Sequence, residues 1–87
     1  MVTKEEYIRH QKKFDVRIGD IVTVFRKPYK NEWPHLWTLE MDDAIGKSGK
    51  VIDISEDGIL IKIPGVLGSE YQQHAWYYPY TCLDIIR

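Results

Sequence analysis

Hydrophobic and polar positions alternate most cleanly between Val51 and Ile63, where the chain reads VIDISEDGILIKI. Two runs of period two separated by a turn dipeptide mark a β-hairpin. With Asp57-Gly58 in a type I′ turn, Ile54 is expected opposite Ile61 and Ile52 opposite Ile63, all on one apolar face. The same register sets Asp53 opposite Lys62 on the other face, a favourable charge pair. Upstream, residues 21–25 (IVTVF) form a β-branched run expected as a strand, with Ile21, Thr23 and Phe25 on one side and Val22 and Val24 on the other.

The remaining pattern is more broken. Thr3-Lys4-Glu5-Glu6 fits a capping box, and no Gly or Pro interrupts the chain from there to Lys13. Tyr7, Ile8, Gln11 and Phe14 make a narrow apolar stripe, which predicts a short α-helix lying on the surface. Residues 26–36 (RKPYKNEWPHL) carry Pro28 and Pro34 without periodicity and predict a long exposed loop. Residues 37–41 are expected to pair briefly as a strand. Residues 66–74 predict a second loop, residues 75–78 a strand stopped by Pro79, residues 80–83 one 3₁₀ turn, and residues 84–86 a closing strand. Five short strands, a long first loop, a tight central hairpin and a helical turn before the last strand predict a mainly β fold. The expectation is one small SH3-like β-barrel at residues 16–87, behind a helical extension at residues 1–15.

Eighty-seven residues suffice for one domain with a modest core. The aromatic share of 13% is high and asks whether these rings fill a small barrel or line a surface. Net charge is −1, but residues 1–30 hold eight Lys/Arg against four Asp/Glu, while the rest is acidic. That balance argues against duplex-DNA binding, and the asymmetry permits self-association of opposite poles. No run approaches the ~20 apolar residues of a membrane span. The polar start is unlike a signal peptide, and Cys82 is the single cysteine, so a cytoplasmic protein without disulfides is expected.

Gly46-Lys47-Ser48 matches the end of a P-loop, but Met41 stands where the first glycine belongs, and a hairpin follows where a helix is needed. The triplet is expected instead as the entry turn of the hairpin, with Gly46 and Gly49 in conformations other residues resist. His10, His35, His74 and Cys82 lack metal-ligand spacing. No arrangement of nucleophile and base suggests an enzyme, and no metal or cofactor is expected. Asp42-Asp43 reads as a turn pair that also offers negative charge.

The ordered set Ile18-Gly19-Asp20-x-Val22, Trp37, Met41-Asp42, Ile45-Gly46-Lys47-x-Gly49-x-Val51, Gly58-Ile59, Trp76-Tyr77-Tyr78-Pro79 and Leu83 resembles the mind-bomb/HERC2 domain. It is also similar to small single-domain proteins, many of them from bacteriophages, which would place the chain in a host cytoplasm. The resemblance spans residues 16–86. It implies an SH3-like interaction module of the kind that binds peptide segments in large ubiquitin ligases. Trp37 and Trp76 would then frame the barrel, and Gly46-Lys47-x-Gly49 would launch the central strand. The two prolines of the long loop and the N-terminal helix depart from that pattern, so only a binding module transfers.

The expected ligand surface comprises Trp33, Trp37, Asp42, Asp43, Trp76 and Tyr78, taking a protein or peptide segment with a basic or amide-bearing group. A second reading has Tyr and Trp faces stack the base of a nucleotide or oligonucleotide signal while Arg26, Lys27, Lys30 and Lys47 meet phosphate. A third is a Tudor- or KOW-like binder of single-stranded nucleic acid. A homodimer is also open, with residues 75–78 as an exchangeable edge strand.

Overall fold

The computed structural model describes residues 3–66 and 75–86. Helix α1 covers Lys4–Gln11, strand β1 Ile21–Val24, helix α2 Leu39–Asp42, β2 Ser48–Ser55, β3 Gly58–Lys62, β4 Ala75–Tyr78 and β5 Leu83–Ile86, with a 3₁₀ turn at Tyr80–Cys82. The five strands make one antiparallel sheet in the order β4-β3-β2-β1-β5. The fold is mainly β with a short N-terminal helix. Among the described residues β4 and β5 are the two edges of the sheet. The loop expected at residues 66–74 lies, beyond Val66, outside the described residues. No helix among those described is long and apolar enough to cross a membrane.

Helix α1 starts as its sequence demands: the Thr3 hydroxyl accepts the Glu6 amide at 3.1 Å. The helix is held from beneath. Tyr7 is 1% exposed and belongs to the main core, and its hydroxyl accepts the Tyr80 amide at 2.9 Å. Gln11 Nε2 donates to the Ser55 carbonyl at 2.6 Å. Burial pushes the Tyr7 pKa up, so the hydroxyl stays protonated. Strand β1 follows its alternation: Val22 and Val24 are fully buried, and Ile21 faces out.

The expected strand at residues 37–41 is not formed; residues 37–38 lead into helix α2 at Leu39–Asp42. Thr38 is extended and acts as N-cap of Leu-Glu-Met-Asp, four residues with acidic groups suited to a helix start. The helical rise swings Met41 inward, where it is 1% exposed, and leaves Leu39 in solvent. Trp37 and Thr38 stay outside the helix, Thr38 in the extended conformation of an N-cap, and the strand is cut off where Leu39–Asp42 coils to bury Met41.

The central hairpin exists, but in another register. Glu56 and Asp57 form the turn, with Ser55 paired to Gly58, Ile54 to Ile59 and Asp53 to Leu60. A bulge then absorbs Ile52, so that Val51 faces Ile61 and Lys50 faces Lys62. A type I′ turn is excluded, since Asn31 is the one non-glycine residue with positive φ among those described. Three groups hold this register. Ser55 Oγ reaches Asp57 Oδ1 at 3.0 Å and the Gly58 carbonyl at 3.3 Å, while the Trp33 indole donates to the Asp57 carbonyl at 2.9 Å. Gly58 is a strand residue packed under Tyr77, where a Cβ would stand 3.2 Å from the Tyr77 Cβ. The expected Asp53–Lys62 pair is therefore not formed; Lys62 faces another lysine.

The glycines of the entry turn divide. Gly46 has φ 87° and donates its amide to the Val24 carbonyl at 2.6 Å, as a left-handed turn position should. Gly49 has no positive φ, which corrects the conformational expectation. Its role is close approach: a Cβ there would meet the Lys62 carbonyl oxygen and stand 2.6 Å from Ile63 Cγ1.

Candidate functional site

Burial separates the aromatic residues. Trp33 is 9% exposed, belongs to the core and spends its indole N–H on the hairpin turn. Tyr78 is 1% exposed, and burial raises its pKa. Both rings are chiefly structural. Trp37 and Trp76 are half-buried and pack against the core from its edge. The Trp37 ring meets Tyr78 edge-on at 5.8 Å between centroids. Its indole N–H donates to Asp42 Oδ1 at 2.7 Å, which fixes the ring on the first turn of α2.

Asp42 and Asp43 are exposed at the end of α2, beside exposed Glu40. Among the described residues none of the three takes part in an ion pair. Leu36 and Leu39 flank Trp37 and are 82% and 83% exposed. Two leucines this open lie within four residues of each other, with the anchored Trp37 between them. The segment 36–43 is thus an apolar ridge with an acidic end. Sequence reasoning found Trp37, Asp42 and Asp43 but missed the leucines, because a leucine in an aperiodic stretch carries no sign of which way it points.

The cationic set is less available than its sequence suggested. Arg26 forms a two-pronged pair with Glu32, at 2.8 and 3.2 Å, and stacks over the Tyr29 ring at 4.3 Å. Lys27, Lys30 and Lys47 are exposed. Glu32 also accepts from the Tyr29 amide at 3.2 Å and the Thr81 hydroxyl at 3.1 Å, so it knots the long loop to the 3₁₀ turn. Burial alone would raise the Glu32 pKa, but these donors and the Arg26 charge outweigh it and hold it below its ordinary 4.5. A depressed carboxyl pKa contributes stability above the unfolded value, lost as pH falls through the folded one. Glu32→Gln should therefore melt earlier than the parent at neutral pH, by about 1–2 kcal/mol. The gap should narrow below pH 4.5. Thermal melts of both proteins across that range test it; a gap independent of pH would remove Glu32 as the cause.

The chemistry of single reactive groups is quiet. Burial pushes the Cys82 thiol up to about 11, so it is protonated and unreactive at neutral pH. Asp57 gathers His35 at 2.8 Å and Lys4 at 3.6 Å around the hairpin turn. No group of three or more metal-ligating side chains forms among the described residues.

No family model, curated protein sequence or solved structure matches this chain. The reading of function therefore rests on its own residues.

Proposed function

We propose that this chain is a non-enzymatic interaction module that docks an extended protein segment along the ridge formed by residues 36–43. The observation that carries the reading is the exposure of Leu36 and Leu39 at 82% and 83% on either side of an anchored Trp37. Apolar side chains beside a rigid aromatic supply contact area at little entropic cost. Glu40, Asp42 and Asp43, free of ion pairs among the described residues, select a segment with a basic or amide-bearing group. Of the residues expected at the interface, Trp37, Asp42 and Asp43 keep that role, Trp76 contributes its open edge, and Trp33 and Tyr78 support from within.

An SH3-like barrel is the architecture that suits this role. Support comes from four sequential antiparallel strands with the fifth returning beside the first, and from the 3₁₀ turn before it. The likeness to the mind-bomb/HERC2 domain points the same way. The nucleotide reading is weakened by the commitment of Arg26 to Glu32.

Immobilised full chain should capture a partner from lysate of the cell that makes it, identified by mass spectrometry. Leu36→Ser with Leu39→Ser should reduce capture about tenfold while leaving the melting temperature nearly unchanged, since both side chains lie in solvent. Equal capture by parent and variant would refute the ridge as the docking site.

A further inference from the structure

The hairpin register has a consequence on the outside of the sheet. Because the bulge at Ile52 brings Lys50 opposite Lys62, and Ile21 pairs with both Lys50 and Ile86, one row across the sheet reads Ile86, Ile21, Lys50, Lys62. Ile21 and Ile86 are 43% and 53% exposed. Ile21, Ile52 and Pro64 edge a groove of about 340 Å³ whose charged members are Lys50 and Lys62. Like charges directly opposite on a sheet are unfavourable. Neither lysine takes part in an ion pair among the described residues. An apolar floor under two cations that have no ion pair among the described residues suits an occupant that is apolar and acidic.

The chain itself carries such an occupant. Its ridge at residues 36–43 presents Leu36 and Leu39 followed by Glu40, Asp42 and Asp43. It cannot fill its own groove. Met41 and Trp37 tie the ridge to the core-facing side of the sheet, whereas Ile21, Lys50 and Lys62 point to the opposite side, out of phase with buried Val22, Val51 and Ile61. We propose that the groove receives the ridge of a second copy of this chain, giving a head-to-tail, salt-sensitive self-assembly. The proposal rests on the ridge being a docking surface and names a partner for it. Two different patches meet, so the contact closes only as a ring or continues as a chain of copies.

Sedimentation velocity of the full chain over a range of concentration, at low and moderate salt, is the test. The parent should associate with rising concentration, and more weakly at higher salt. Lys50→Glu with Lys62→Glu makes the groove acidic, and Glu40→Lys with Asp43→Lys makes the ridge basic. Each variant alone then faces like charges across both partners of the contact and should associate about tenfold more weakly. Mixed together, the two variants restore opposite charges at every contact and should associate again. All four positions are exposed, and circular dichroism checks that each variant folds. A parent that stays monomeric at low salt, or a mixture that associates no better than its components, overturns the proposal. If the parent stays monomeric while Leu36 and Leu39 still govern capture from lysate, the self-contact fails and the docking ridge stands.

Discussion

Gly49→Ala is expected to destabilise the domain by about 3 kcal/mol, at the upper end of what one added methyl does in a packed interior. The reason lies in what the methyl would meet. A Cβ at Gly49 runs into the Lys62 carbonyl oxygen, 2.6 Å from Ile63 Cγ1 and 3.0 Å from Ile61 Cγ2. The carbonyl belongs to the strand next to β2 and cannot rotate away, so the β2–β3 pairing must open or β3 must shift. For a domain of this size the melting temperature should fall by roughly 10–20 °C. Gly46→Ala is the control. It has no atom within 4 Å of the added Cβ and suffers only from φ 87°, at about 1 kcal/mol. Thermal melts that place the two variants level, or Gly46→Ala lower, would show that the close approach at Gly49 is not what holds the strands.

Tyr7→Ala should cost about 3–5 kcal/mol, enough to leave a domain of this size barely folded. Its ring is 1% exposed within the main core and lies 5.3 Å from the Tyr80 ring. Tyr7→Phe isolates the hydroxyl: it leaves the Tyr80 amide without its acceptor, at about 1–2 kcal/mol. Denaturant unfolding with global and local probes separates two outcomes. One cooperative transition shifted to lower denaturant means that α1 and the sheet fold together. Loss of helical signal alone, with the sheet's transition unmoved, would mean that residues 1–15 are an appendage, as the sequence division at residue 16 suggests.

Much of the fold was legible because its causes are local. The Thr3 cap with Glu6, the alternation that buries Val22 and Val24, and the 3₁₀ turn at Tyr80–Cys82 depend on neighbours in the chain. Helix α2 was not legible: Trp37 and Thr38 favour an extended chain, and the turn of helix that follows at Leu39–Asp42 is tied to the burial of Met41 in a core formed by distant strands. Trp33 looked like a surface ring within a proline-bearing loop. Its partner, the Asp57 carbonyl, lies 24 residues on, at a separation that periodicity does not reach.

The hairpin divides the two kinds of information most sharply. Its existence and its strands were determined by the sequence through alternation and a turn dipeptide. Its register was decided by tertiary structure, through Trp33 bonding the turn, Ser55 closing it and Tyr77 lying over Gly58. Three groups tipped the pairing because moving the turn back by one residue alters few local energies yet changes every cross-strand partner. That move and the bulge at Ile52 together exchanged an expected Asp53–Lys62 pair for Lys50 against Lys62, and so produced the basic groove. Which residues can make strands is a local property of the chain; which surface those strands present is settled only when distant side chains close on them.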